Sequence, residues 1–359
     1  MVDFNVFTYL FIIKFFKKIK MLEKFLIFIF PIFIYFLNLF FIKKKLIPNF
    51  SGNIHQKFFN NRSVPLSGGI FLFIIIIYIF KNEPIILVLS LFLIFLIGFF
   101  SDINFLSSVK WRFVLQFIIV FYFIFSTESN IKSIRIDFLD HYLNNFWISC
   151  LFTTFCLIIM LNGTNFIDGL NGLIISYCLI IFFILYRLDL INLFFSNINL
   201  LLIIVTLISL LILNFYNKLF MGDSGSYLLG FVIGYFLITI YIKNSLISPY
   251  FVVLLLWYPA FETLFSIIRK LKTRKSPTKP DNNHFHHMLF FFIKKKFKLK
   301  KLASNNLSSF IIILYNFIIF NISTLNIYFT YFHVILILIN IMIYLIVYLK
   351  LYNFKKIRV

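Results

Sequence analysis

Residues 84–102 read PIILVLSLFLIFLIGFFSD, and this stretch decides the fold class. It carries no charged side chain until Asp102, and its apolar length of roughly 15 to 20 residues is enough to cross a hydrocarbon core. Lipid cannot satisfy free backbone polar groups, so a spanning segment must be a helix or part of a closed barrel. Barrel strands alternate apolar and polar side chains, and this stretch does not. The sequence therefore predicts a membrane-spanning helix.

Comparable apolar runs recur along the whole chain. Of its 359 residues 62% are hydrophobic and the mean hydropathy is +0.98, whereas a soluble domain is only about half apolar. We predict an all-α polytopic membrane protein with about eleven transmembrane helices. They are Phe25–Ile42, Leu66–Phe80, Pro84–Phe100, Trp111–Ser126, Phe146–Leu161, Leu170–Tyr186, Ile198–Tyr216, Ser226–Ile242, Leu246–Ile268, Leu307–Phe320 and Ile327–Leu351.

The basic residues indicate an orientation. A net charge of +22 would suggest nucleic acid as the partner of a soluble protein, but here the lysines and arginines lie between apolar runs. Alternate loops hold most of them, and the loops on the other side hold only Lys81, Lys132, Arg135, Arg187 and Lys243. By the positive-inside rule the lysine-rich loops are cytoplasmic, so we expect no nucleic-acid partner.

The first twenty residues do not fit this orientation. They place Lys14, Lys17, Lys18 and Lys20 before the first span, on the side that is otherwise poor in charge. We hypothesise that residues 1–20 are an extension that is not translated, that Met21 is the initiator, and that 21–359 form one transmembrane domain. Mass spectrometry of the native N-terminus tests this.

Three polar segments on the predicted cytoplasmic side contain aspartates. They are GFFSD (98–102), followed by Lys110, Arg112 and Gln116; NGTNFIDGLNGL (162–173); and FMGDSGS (220–226). Any single acid at a helix end can simply be solvated. Aspartate and asparagine oxygens are also the hard ligands that magnesium prefers, usually one or two carboxylates plus substrate phosphates. Because each segment precedes a helix, free N–H groups there can face phosphate. Together the segments predict a magnesium–diphosphate site.

A fourth segment is basic and histidine-rich. Residues 274–287 read RKSPTKPDNNHFHH, with His284, His286 and His287 at its end. The histidines raise the alternative of a zinc site, but HExxH is missing and no cysteine stands at ligand spacing. The surrounding lysines favour an anionic ligand. His55 and PLSGG (65–69) form a weaker segment, for which a turn and a close helix contact are a sufficient account.

These motifs carry a resemblance to a known family. PLSGG resembles P-x-x-GG, GFFSD resembles G-x-x-DD, and NGTNFIDGLNGL resembles N-x-x-N-x-x-DG-x-x-GL. FMGDSGS resembles FMGD-x-GS, and KSPTKPDNNHFHH resembles SP-x-x-PD-x-x-H-x-HH. In this order they resemble the polyprenyl-phosphate N-acetylhexosamine-1-phosphate transferases, glycosyltransferase family 4. That family includes the enzymes that initiate O-antigen and enterobacterial common antigen, and the phospho-MurNAc-pentapeptide translocase. The pattern is closer to the first branch.

The resemblance implies an activity and a set of roles. The donor would be a UDP-N-acetylhexosamine, the acceptor undecaprenyl phosphate in a bacterial inner membrane, and the cofactor Mg²⁺, with Mn²⁺ as a substitute. Asp102, Asp168 and Asp223 would be catalytic, with Asp223 and Asn165 at the metal. The substrate-binding residues would be Asn162, Asn165, Asn171, Lys110, Arg274, His284, His286 and His287. Oligomeric state is left open, with a homodimer as one option.

Three departures from the family pattern bear on activity. Ser101 replaces the first aspartate of the pair, Asn171 replaces the second aspartate of DGLDGL, and Glu262 stands where many members carry Asp. A homologue that has lost catalysis through Ser101 and only binds polyprenyl phosphate is therefore an alternative. A transporter or flippase would need charges at the bilayer midplane and related halves, which we do not see. An intramembrane metalloprotease is disfavoured because HExxH is missing.

Overall fold

The structure is a computed structural model. It describes residues 21–44, 49–50, 64–191, 196–274, 276 and 281–358. The predicted extension 1–20 and His55 lie outside these residues.

The described chain is almost entirely helical. Its helices are α1 Met21–Lys44, α2 Gly68–Phe80, α3 Ile85–Asp102, α4 Val109–Thr127, α5 Asp137–Leu143, α6 Phe146–Ile167, α7 Leu173–Arg187, α8 Asn197–Phe215, α9 Gly222–Lys243, α10 Pro249–Leu255, α11 Trp257–Lys272, α12 Phe285–Phe297, α13 Lys301–Ser323 and α14 Thr330–Arg358. Two short strands, β1 Asn49–Phe50 and β2 Val64–Pro65, pair antiparallel between α1 and α2.

Every predicted span coincides with helix. Among the described residues, 7 helices are long and apolar enough to cross a membrane, or up to 8 if the bent pair α10–α11 is counted as one span. Helices α2 and α7 are apolar but shorter, and α1 covers the first predicted span. The prediction of an all-α, multi-pass membrane protein is therefore confirmed.

Helix α9 lies at the centre of the bundle. It packs against α2, α3 and α6, and 89% of its apolar window is buried inside the protein. Gly98 makes this packing close, because a Cβ built there would lie 2.4 Å from the Cα of Ser224. Small residues at such a crossing let two helix backbones approach. This close contact fixes the first turn of α9 against the end of α3 that the charge distribution predicts to be cytoplasmic.

The predicted span Leu246–Ile268 is divided by a bend. Helices α10 and α11 meet at 76° beside Leu256. Pro259 has no N–H to donate to the carbonyl of Leu255, and proline at this spacing breaks or kinks a helix. The Tyr177 hydroxyl donates to that carbonyl instead, at 2.8 Å. Sequence hydropathy shows one continuous span here because the apolar run does not stop at the bend.

Candidate functional site

The centre of the candidate site is Asp223, the second residue of α9. Its Oδ1 accepts a hydrogen bond from Asn165 Nδ2 at 2.6 Å. Its Oδ2 accepts from Ser101 Oγ at 2.6 Å and forms an ion pair with the Arg112 guanidinium, which also donates to Ser101 Oγ at 2.5 Å. The side chain of Asp223 keeps 25% of its surface exposed. Helices α3, α4 and α6 thus each bring one polar group to the carboxylate that α9 supplies.

Asp102 contacts the backbone at the start of α9, next to the Asp223 side chain. Its Oδ1 accepts from the Asp223 backbone N–H at 2.8 Å. Its Oδ2 accepts from the Ser224 backbone N–H at 3.1 Å and from Ser224 Oγ at 2.7 Å. A carboxylate that takes the free N–H groups of a helix start is an N-cap, here supplied by another helix. Two of the N–H groups expected to face phosphate at this helix, those of Asp223 and Ser224, are thus already bonded to Asp102.

Asp168 directly follows α6 and interacts electrostatically with Asp223 and Asp102. Burial, and then the charges of Asp223 and Asp102, raise the pKa of Asp168 well above its usual range. Carboxylates that repel one another in this way are stabilised by a cation.

No three His, Cys, Asp or Glu side chains are grouped as a preformed metal site within the described part of the chain. Magnesium needs only one or two protein carboxylates when phosphates supply further ligands. The exposed edge of Asp223 and the Asn165 amide fit that requirement, so these two residues would hold the ion together with a diphosphate.

Other predicted substrate contacts lie at different places. Asn162 donates to Gln116 Oε1 at 3.1 Å and to the Ile158 carbonyl at 2.9 Å, which ties α6 to α4. Asn171 is 4% exposed and donates to Asn217 Oδ1 at 2.6 Å, while Asn305 Oδ1 accepts from its backbone N–H at 2.8 Å. Lys110 and Arg274 are exposed at the start of α4 and just after α11. The substrate-binding roles of these four residues stay predictions.

The histidines form a second, buried cluster. His284, His286 and His287 are 5%, 0% and 9% exposed. The Glu262 carboxylate lies 2.9 Å from His284 Nδ1. Asp281, three residues before His284, is held by two hydrogen bonds from Arg269 at 2.9 and 3.2 Å. Although burial raises the pKa of Asp281, these bonds lower it to about 2.

His286 is the most deeply placed of the three. Neither of its ring nitrogens has a hydrogen-bond partner among the described residues. Burial, and then His287 and His284, hold its pKa well below the usual range, so the ring is neutral. A Cβ on Gly169 would lie 2.6 Å from His286 Nε2. The glycine after Asp168 therefore lets the histidine segment lie directly on the loop that follows α6.

Residues 165–169 connect the two clusters. Asn165 bonds Asp223, the Phe166 ring stacks on His284 with centroids 5.4 Å apart, and Gly169 lies against His286. The structure thus brings the second, third and fourth predicted segments into one region at one end of the bundle.

Sequence reasoning left three participants outside the predicted site. Arg112 was noted beside the first segment, and its spacing from Ser101 on the next helix was the signal available. Phe166 lies within the second segment, where its apolar character concealed the ring contact with His284. Tyr344, whose hydroxyl donates to Glu262 Oε2 at 2.6 Å, comes from a distant span and gave no local signal.

The fold and this geometry define a polytopic membrane protein with an acidic and a histidine cluster at one end of its bundle. Residues 84–241 match the sequence model of glycosyl transferase family 4. The matched residues include all three aspartates, so this part of the chain is similar to that family.

Two relatives point the same way. A probable undecaprenyl-phosphate N-acetylglucosaminyl 1-phosphate transferase of Bacillus subtilis (strain 168) is 29% identical over 200 residues, covering 54% of this chain and 54% of that protein. The decaprenyl-phosphate N-acetylglucosaminephosphotransferase of Mycolicibacterium smegmatis (strain ATCC 700084 / mc(2)155) is 31% identical over 158 residues, covering 38% of this chain and 39% of that protein. The matched region thus spans about half or less of these relatives.

Proposed function

We propose that this protein transfers N-acetylhexosamine 1-phosphate from a UDP-sugar to undecaprenyl phosphate and releases UMP. The observation that carries the proposal is the convergence of three helices on the Asp223 carboxylate of α9, through Ser101, Arg112 and Asn165. This arrangement stands at the end of a buried apolar helix, where a lipid phosphate and a water-soluble diphosphate can meet. The family match and the named activities of the two relatives support the same reaction.

The reaction is a direct displacement at phosphorus. An oxygen of the lipid phosphate forms a bond to the β-phosphorus of the donor, and the bond from that phosphorus to the bridging oxygen breaks. The bridging oxygen leaves with UMP, and the product is a lipid diphosphate sugar. The second pKa of a phosphate monoester is about 6, so near neutral pH the acceptor is mostly dianionic and needs no strong base.

The residues supply positioning and charge. Arg112 places a guanidinium beside Asp223, where it can approach a phosphate oxygen. Asp102 holds the start of α9 and so fixes the backbone of Asp223. Magnesium, when bound, would offset charge on the donor diphosphate and the leaving UMP.

Ser101, which stands where the family carries an aspartate, still contacts the Asp223 carboxylate. Its hydroxyl donates to Asp223 at 2.6 Å, so the position of the missing acid is filled by a hydrogen bond. We propose that the chain is active despite this departure. The lysine-rich loops favour a bacterial inner membrane with the site on the cytoplasmic face, and the product would initiate O-antigen or another cell-surface polysaccharide.

The test uses the purified full chain with undecaprenyl phosphate, Mg²⁺ and UDP-GlcNAc labelled with ³²P at the β-phosphate. The expected result is UMP in solution and an equal amount of label in the lipid, both lost with EDTA. UDP-GalNAc in parallel reports the choice of sugar. UMP formed without lipid phosphate would indicate a hydrolase, and no product with any UDP-N-acetylhexosamine would indicate a lapsed homologue.

A further inference from the structure

Glu262 is a buried carboxylate surrounded by three donors. It lies on α11, is 1% exposed, and accepts from the Phe285 backbone N–H through Oε1 at 3.2 Å. The same oxygen lies 2.9 Å from His284 Nδ1, and Oε2 accepts from the Tyr344 hydroxyl at 2.6 Å. A buried carboxylate must be compensated by hydrogen bonds or an opposite charge. Glu262 therefore holds together α11, the start of α12 and the distant helix α14.

This contact fixes the chemistry of the His284 ring. An ionised carboxylate can only accept hydrogen bonds, so His284 Nδ1 must carry a hydrogen. Nε2 is then left as the nitrogen available to a ligand. Asp281 Oδ1 lies 3.8 Å from Nε2, which is too long for a hydrogen bond. With Nδ1 held, Nε2 accepts from a neutral ring and donates when the ring gains a second proton.

The rotation of the ring is fixed as well. Phe166 stacks on His284 with centroids 5.4 Å apart and planes at 28°, and the His286 ring is 5.6 Å away at 18°. Phe166 is next in sequence to Asn165, which bonds Asp223. Because Asn165 and Phe166 are adjacent in the chain, the position of the His284 ring is fixed relative to the acidic cluster.

We propose that Glu262 is a positioning residue: it fixes the tautomer and rotation of His284 so that Nε2 meets the UDP-sugar. The inference rests on the proposed function, because it takes the donor from there. Glu262 touches no substrate itself and acts through His284, and Tyr344 orients Glu262 in turn.

The first test observes the tautomer without any turnover. The chain has 6 histidines, and ¹⁵N-histidine NMR of the intact protein in detergent, with a His284→Gln variant for assignment, isolates the His284 signals. At a pH where this ring is neutral, the wild type should show a protonated Nδ1 and an unprotonated Nε2. Glu262→Gln should populate the opposite tautomer, because an amide NH₂ can donate to Nδ1. A wild-type ring protonated at Nε2, or signals unchanged in Glu262→Gln, overturns the proposal.

The second test is a double-mutant cycle on kinetics. Glu262→Gln should lower kcat/KM for UDP-GlcNAc about ten- to a hundredfold, as loss of an orienting partner does elsewhere, with the KM for lipid phosphate unchanged. Glu262→Asp keeps the charge and should recover part of the loss. In a His284→Ala background Glu262→Gln should have no further effect. Equal losses in both backgrounds would show that Glu262 is only structural, and the proposal would fail.

Two measurements keep the outcomes separate. Thermal unfolding of each variant identifies misfolding, and the Glu262→Asp protein provides the folded comparison if Glu262→Gln is unstable. If the wild type releases no UMP at all, the proposed function fails. The NMR result still decides whether Glu262 sets the His284 tautomer.

Discussion

The acidic cluster and the histidine cluster are built in opposite ways. Around Asp223, every carboxylate oxygen of Asp102 and Asp223 already has a partner from a helix end or a helix start. In the histidine cluster, His286 is wholly buried with both ring nitrogens unbonded among the described residues, and His284 depends on Glu262. The acidic cluster is formed by the packing of helices against one another. The histidine cluster is formed by a segment that packs against the loop after α6. Loss of a residue should therefore affect them differently.

The largest effect is expected at Asp223. Asp223→Asn removes the charge that the ion pair with Arg112 and the proposed magnesium both require. Turnover should fall at least about a hundredfold. Because Asp223 lies at the end of the bundle with 25% of its side chain exposed, the protein level and the melting temperature should stay near those of the wild type. UMP release at matched protein amounts measures this, and near-normal release would remove Asp223 from the metal site.

Asp102 should behave as part of the framework. Asp102→Ala leaves two backbone N–H groups and the Ser224 hydroxyl without their acceptor. We expect a loss of stability of about 1 to 2 kcal/mol, as for other helix caps, together with a large loss of rate through displaced Asp223. Ser101→Ala is the matched control, with a much smaller effect on both. A variant with full stability but no activity would instead make Asp102 a direct participant in the reaction.

A change in the histidine cluster should separate the two substrates. His284→Ala is expected to raise the KM for UDP-GlcNAc or to lower kcat, with a total loss in kcat/KM of about ten- to a hundredfold, which corresponds to about 1.4 to 2.8 kcal/mol. The KM for undecaprenyl phosphate should hardly change. Elemental analysis of the purified wild type is the companion measurement. One zinc per chain would indicate that the histidines bind a metal ion and not the donor.

Ser101→Asp should have only a modest effect. The new carboxylate would lie between Asp223 and Arg112 and restore the pair that the family carries. The acceptor needs a base only when its phosphate is protonated, so the change should appear mainly below about pH 6. A pH profile of both proteins measures this. An inert wild type that Ser101→Asp alone activates would show that the base is essential.

The smallest effect is expected from Asp281. Its folded pKa of about 2 lies below the usual 3.8, so the ionised form stabilises the fold at any pH above 3.8. That contribution should disappear as the pH falls from 3.8 through about 2. Thermal melts should therefore show Asp281→Asn less stable than the wild type near neutrality, with the difference closing in acid. If the difference in melting temperature did not change with pH, the Arg269–Asp281 ion pair would not be what the protein loses in acid.

The fold was readable from the sequence because apolar length and charge asymmetry are local properties. The start of α9 was not: Gly222 to Gly225 have a loop-like composition, and they are helical because Asp102 caps them from another helix. The bend before Trp257 was concealed for a similar reason, since Tyr177 from α7 satisfies the carbonyl that Pro259 cannot. Hydropathy does not report such partners.

The motif positions were readable, but their mutual arrangement was not. The sequence placed the aspartates and histidines at helix ends without showing that Phe166 and Gly169 join them. Glu262 looked like a charge-conserving exchange at a span end. Its importance comes from Tyr344, 82 residues further along the chain, and no local pattern encodes that contact.

The burial of α9 also has a consequence for biogenesis. The helices that enclose most of it, α2, α3 and α6, all precede it in the chain. When α9 leaves the ribosome, its neighbours have already been synthesised, and the Asp223 contacts can form as soon as its first turn is in place. The Glu262 contacts are complete only once α14 is made, because Tyr344 is translated near the end. The nascent protein thus acquires its acidic cluster first and its histidine cluster last, so a half-made chain holds an incomplete site.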